Sequence, residues 1–182
     1  MSTLDRRTRA EIGRSSNRRG KEAEQAVARW LREHGWPDAQ RTVRTGWKVG
    51  DHQSRDRGDI DGTRGLCWQV KTSRDDFTDT RVLAVLAATA DQAVASGADY
   101  GIAIERRAGK TDPGRWWAWM TAGDLYALAE TARNPFVLAV PQPVLDVPVR
   151  LLLRDLVPLL HAAGYGAPAT NPTTNEEGPA AP

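Results

Sequence analysis

The chain has one cysteine, Cys67, which excludes an internal disulfide and a cysteine-cluster zinc site. It has three histidines, and His52 has no His or Cys at ligand spacing. No apolar run reaches the 18 or so residues of a membrane span. The arginine-rich start has no apolar h-region, so no signal peptide is expected. A reducing, cytoplasmic compartment is the expected localisation. At 182 residues the chain is long enough for one domain with appendages, and seven tryptophans can fill a core.

A near-neutral total conceals a charge asymmetry. Residues 1–57 carry 14 Lys/Arg against 8 Asp/Glu, whereas residues 58–182 carry 11 against 15. A basic half points to a polyanion, DNA or RNA, or else to a solvated segment that keeps the chain soluble.

The most informative stretch is Arg57-Gly58-Asp59-Ile60-Asp61-Gly62-Thr63-Arg64-Gly65-Leu66-Cys67-Trp68-Gln69-Val70-Lys71. It predicts a β-hairpin with a glycine-containing turn. Side chains alternate along a strand, so Leu66, Trp68 and Val70 share one face and Cys67, Gln69 and Lys71 the other. Closing the hairpin brings Asp59 to the Gln69/Lys71 pair. An acid, an amide carbonyl and an ammonium then meet, which is the set that metal-assisted phosphodiester hydrolysis uses. Asp61 competes with Asp59 for the acidic role. It adjoins Gly62, and reads equally as a turn residue or a supporting carboxylate.

Around this stretch the periodicity predicts alternating elements. Residues 1–19 read as a flexible basic arm, and residues 20–35 as a helix with Ala23, Val27, Trp30 and Leu31 inward, ended by Gly35. Glu24 lies beside that stripe and Glu22 on the polar face. An inward carboxylate is paired with an arginine, lies at the edge of the stripe, or binds a cation. A strand is expected over 40–45 and a polar loop before the hairpin. Beyond it come a helix over 79–96 with Leu83, Leu86, Ala87, Ala90 and Val94 inward, a buried strand 100–105, a basic turn, a strand 116–120 and a helix 122–132. Trp116, Trp117 and Trp119 suit either core packing or base stacking. Residues 133–149 read as extended. Residues 149–163 read as an amphipathic helix interrupted at Pro158 that covers a sheet edge or a dimer partner. Residues 166–182 read as a disordered tail. The order is α-β-β-β-α-β-β-α, an α/β class with a mixed central sheet flanked by helices and a C-terminal helical appendage.

These residues resemble the PD-(D/E)XK nuclease superfamily, and within it the small Holliday-junction-resolvase-like proteins of archaea and phages. The phrase Arg19-Gly20-Lys21-Glu22-Ala23-Glu24 is similar to the family's basic helix start, with Glu24 four residues after the glycine. Asp56-Arg57-Gly58-Asp59-Ile60 matches its metal-binding aspartate, and Gln69-Val70-Lys71 its Glu-x-Lys. The departure is Gln69, a variant also carried by the Mrr-type restriction endonucleases. A glutamine carbonyl ligates Mg²⁺ without bringing charge.

The resemblance covers residues 18–132 and implies a restriction-endonuclease-like core over 20–132. It implies catalytic Glu24, Asp59, Gln69 and Lys71, with Mg²⁺, replaceable by Mn²⁺, on Asp59, Gln69, Glu24 and the Val70 carbonyl. Arg18, Arg19, Arg44, Lys48, Arg55, Arg57, Arg106, Arg107 and Lys110 are the expected DNA contacts. The implied protein is a homodimeric endonuclease for branched DNA, in recombination or repair, without a small-molecule cofactor. A binding protein on a decayed nuclease fold and a restriction- or repair-type duplex nuclease are the alternatives.

Overall fold

The computed structural model describes residues 9–43, 58–72, 77–132 and 145–167. Among them run α1 (Arg9–Glu33), β1 (Gln40–Arg41), β2 (Ile60–Asp61), β3 (Leu66–Thr72), α2 (Asp79–Ser96), β4 (Tyr100–Arg106), a short 3-10 turn (Pro113–Arg115), β5 (Trp117–Thr121), α3 (Ala122–Thr131), β6 (Pro148–Leu152) and α4 (Leu153–Ala162). The strands form one six-stranded sheet in chain order. β3 and β4 are parallel, with α2 as their crossover, and every other neighbouring pair is antiparallel. This is an α/β architecture with a mixed sheet and helices packed on it. No helix among the described residues is long and apolar enough to cross a membrane.

The helix α1 begins at Arg9, so residues 9–19, expected in a flexible arm, are helical. Once residues 20–33 are anchored, each further residue adds a hydrogen bond without a new nucleus, and the Arg18–Glu22 pair at 3.5 Å supports the extension. Ala23, Val27, Ala28, Trp30 and Leu31 are buried as the period requires. The helix stops before Gly35, whose φ of +102° lets the chain turn back so that the Trp36 amide bonds the Leu31 carbonyl.

In the hairpin, Leu66, Trp68 and Val70 enter the large core, and Gln69 and Lys71 face the other way. The Trp68 indole donates to Thr63 Oγ1 at 3.0 Å, which fastens the turn to the strand.

Three expectations change. In α2 the buried residues are Val82, Leu86, Thr89 and Ala93, and Leu83 and Val94 are exposed. The helix is apolar on several sides, so period alone did not fix which stripe meets the sheet. Residues 148–152 form a strand rather than the start of a helix. Leu151 pairs with Ala118 and Leu152 with Trp117, and the open edge of β5 decides this. The helix then runs from Leu153 through Pro158, which lies in its second turn, to Ala162. Leu153, Leu156, Val157 and Leu160 are core residues, so the domain extends past the expected boundary at 132 and this segment is no appendage. At the start of the expected tail, the Ala167 amide bonds the Gly35 carbonyl at 2.8 Å. Residues 168–182 lie outside the described residues.

Candidate active site

Asp59 meets β3 where β2 leaves the regular ladder. Ile60 is the register partner of Trp68, yet the Asp59 amide also turns to the Trp68 carbonyl at 2.7 Å. Gly58 permits this with φ +86°, since a Cβ there would sit 2.6 Å from the Trp68 oxygen. The backbone of β2 then no longer serves Val70, and the Asp59 carboxylate takes over. Its Oδ2 accepts from the Val70 amide at 2.8 Å. The carboxylate is thereby held against β3 at the residue between Gln69 and Lys71. On its other side, the Asp59 carbonyl accepts from the Thr42 amide at 2.9 Å.

From α1, Glu24 reaches β1. Its Oε2 accepts from Arg41 Nε at 2.6 Å, with side-chain exposures of 19% for Glu24 and 24% for Arg41. Pairing with an arginine was one of the roles open to an inward Glu24. Arg41 was missed, since nothing local marks an arginine that pairs with a glutamate 17 residues earlier. Contacts therefore run from Glu24 through Arg41 and its neighbour Thr42 to Asp59 and Val70.

Gln69 is buried and turned to α2. Its Oε1 accepts from the Thr89 hydroxyl at 3.2 Å, and its amide nitrogen donates to Gln92 Oε1 at 2.9 Å. Thr89 and Gln92 stand three residues apart on α2, a spacing that reaches one neighbour but carries no signal before the helix is docked. Lys71 lies half-buried beside Glu105 in the parallel register. Glu105 is itself buried. Its Oε1 accepts from the Phe77 amide at 2.7 Å and its Oε2 from Trp119 Nε1 at 2.8 Å. An acid closing the apolar run Tyr100-Gly101-Ile102-Ala103-Ile104 was the one available signal for it.

The carboxylate, amide and carbonyl oxygens of the expected ligand set are of the type that suits a hard cation. The Thr42 hydroxyl, a buried oxygen without a hydrogen-bond partner, belongs to the residue bonded to Asp59. Among the described residues no three His, Cys, Asp or Glu side chains group as a metal cage. Magnesium keeps much of its water and is held through one or two carboxylates plus substrate phosphate, so the set fits such an ion in its chemistry.

Of the expected DNA contacts, Arg18 is exposed and pairs with Glu22, and Arg19 is half-buried on α1. Arg106 lies 5.5 Å from the Trp116 ring centroid, and Arg107 lies 4.2 Å from that of Trp117. The Lys110 carbonyl accepts from the Trp116 indole. Arg44, Lys48, Arg55 and Arg57 lie outside the described residues. Searches of family models, curated proteins and solved structures find nothing that matches this chain.

Proposed function

We propose that the protein is a metal-dependent DNA endonuclease on a restriction-endonuclease-like core, acting on branched DNA in the manner of a Holliday-junction resolvase. The observation that carries the reading is the Asp59 carboxylate fixed on the Val70 amide, between Gln69 and Lys71. The order α1-β1-β2-β3-α2-β4, with β3 parallel to β4, supports it as the framework such a site requires.

In this reading Asp59, Glu24, the Gln69 side-chain carbonyl and the Val70 backbone carbonyl would hold magnesium, or manganese in its place. That ion, when bound, supplies polarisation of the phosphate. Lys71 donates a hydrogen bond to the attacking water and offsets the charge that builds on the phosphoryl oxygens. The Val70 amide keeps Asp59 oriented, and Arg41 keeps Glu24 from turning away. Two symmetric cuts across a four-way junction call for a homodimer.

A second reading is a nucleic-acid-binding protein that no longer cuts. Specific observations favour it: Thr89 and Gln92 engage both ends of the Gln69 amide, and Arg41 neutralises Glu24.

Cleavage of a labelled four-way junction beside a linear duplex of the same arms, in Mg²⁺, Mn²⁺ and EDTA, separates the readings. Paired nicks on the junction that vanish in EDTA are expected. The Lys71→Ala variant should melt like the parent and cut slower by about 10²–10⁴-fold. Cutting of both substrates would make it a duplex nuclease. Salt-sensitive binding without cutting in either metal would leave the binding protein.

A further inference from the structure

The registers of β3 to β6 lay out a second surface beside the candidate site. Lys71, Glu105 and Trp117 stand abreast on successive strands, and Gln69, Ala103, Trp119 and Arg150 form the parallel row two residues away. Residues abreast in a sheet share a face, and strands lie about 4.8 Å apart, so Trp117 stands two strands, or roughly 10 Å, from Lys71. This is the face on which α2 packs, with Ala103 and Trp119 in its cluster. The contacts of α2 are concentrated on β3 and β4, which leaves Trp117 and Trp119 half-buried and Arg150 exposed.

Over this part of the face, beyond α2, runs a strip of rings and guanidinium groups. Arg107 and Arg150 lie 4.2 and 4.4 Å from the Trp117 ring centroid, reaching it from the β4 side and the β6 side. Arg150 also lies 5.2 Å from Trp119. Phe77 stacks on Trp119 with centroids 6.5 Å apart and planes 19° from parallel, and Arg81 caps Phe77 at 4.8 Å. Among the described residues neither Arg107 nor Arg150 forms an ion pair with a carboxylate. The one acid in the rows, Glu105, is buried and bonded to Phe77 and Trp119, so it sets the tilt of the Trp119 ring rather than neutralising the arginines.

Aromatic faces interleaved with arginines are the chemistry of a single-strand platform. Guanidinium edges hold phosphates, while rings and guanidinium planes stack bases without reading sequence. We infer that this strip binds an unpaired DNA strand. Its direction toward Lys71 rests on the nuclease reading; the binding itself does not. On a branched substrate the strip would hold the strand freed at the branch and present its backbone to the site.

The test is fluorescence anisotropy in EDTA with a labelled 20-nucleotide oligo(dT) and a blunt duplex of equal length. The parent, Trp117→Ala, Arg150→Glu and Arg154→Glu would be compared. Arg154 is an exposed arginine on α4, beside Asp155. The parent should bind oligo(dT) with an affinity that falls as salt rises. Trp117→Ala and Arg150→Glu should weaken that binding by roughly tenfold or more, with a smaller loss on duplex, and Arg154→Glu should change it by less than about twofold. If Trp117→Ala melts early, Arg150→Glu decides, because that side chain is exposed. Parent-like binding by Arg150→Glu would overturn the inference, as would equal losses on both DNAs or a parent that does not bind oligo(dT). Single-strand binding lost in the variants, with a parent that cuts nothing in Mg²⁺ or Mn²⁺, would sink the nuclease reading and uphold the strip. Junction cutting with unaltered oligo(dT) binding would do the reverse.

Discussion

The face of the sheet toward α1 buries Trp68, Ile60, Ile102, Ile104, Ala118 and Met120 against apolar side chains of α1, α3 and α4. Among the described residues, the buried apolar cluster on the face toward α2 is Val82, Leu86 and Ala103, and it shares that interior with Gln69, Thr89 and Glu105. The first face is a continuous hydrophobic core, where the free energy of folding scales with apolar area removed from water. The second holds polar groups that are tolerable only because each has a partner, and those partners are what orient Gln69 and Trp119. One side of the sheet is thus a continuous apolar core, and the other combines a small apolar cluster with partnered polar groups.

The strongest challenge to this division is to empty the α1 face. Trp68→Ala removes a fully buried indole and its bond to Thr63, and should cost about 3–5 kcal/mol in urea unfolding. Leu83→Ala, at an exposed position of α2, should change stability by less than about 0.5 kcal/mol. Comparable losses at the two positions would remove the distinction.

Next in size is Glu105→Ala. It leaves the Phe77 amide and the Trp119 indole without their acceptor, at a cost of about 1–3 kcal/mol for each group that stays buried. Trp119 fluorescence should change with it, and an unaltered spectrum would show that Glu105 does not fix the ring.

Gln69→Glu sharpens the comparison instead of breaking it. Thr89 still finds an acceptor and Gln92 loses a donor, so stability should fall by about 1 kcal/mol. The added charge should lower the magnesium concentration for half-maximal cutting by roughly several-fold. An unchanged metal dependence would take Gln69 out of the donor set.

The smallest effect is at Tyr165, which packs at the rim of the α1-side core. Burial, with help from its hydrogen bond to Asp99, pushes the phenol up to about 12 from 10.0. The folded chain therefore keeps this proton where the unfolded chain loses it. The contribution is full below pH 10 and is lost as pH rises through 12. Tyr165→Phe should flatten that part of the pH–stability curve between 10 and 12, and identical curves would show that the Tyr165 proton does not contribute there.

Much of this was legible in local residues. The hairpin follows from the alternation of Leu66, Trp68 and Val70, and the inward side of α1 from Ala23, Val27 and Leu31, because period and turn glycines are local properties of the chain. Glu24 could be singled out because an inward carboxylate stands out beside an apolar stripe, and Asp59, Gln69 and Lys71 because hairpin alternation places them together. The buried stripe of α2, the strand at 148–152 and the start of α1 at Arg9 were not legible. The first two depend on which surface was left uncovered once the sheet had formed, and the third on the anchoring of residues 20–33, from which the helix extends.

The sequence by itself determined the element order through residue 131, the two faces of β3 and the identity of the polar residues near its end, since these depend on spacing of 2.0 and 3.6 residues and on glycine. Only the tertiary structure decided that Arg41 meets Glu24, that Thr89 and Gln92 hold Gln69, and that Trp117 lies between Arg107 and Arg150. Those partners are brought together by strand pairing and helix docking across long stretches of chain. A side chain's partner is set by what the fold leaves beside it, and no local spacing encodes that.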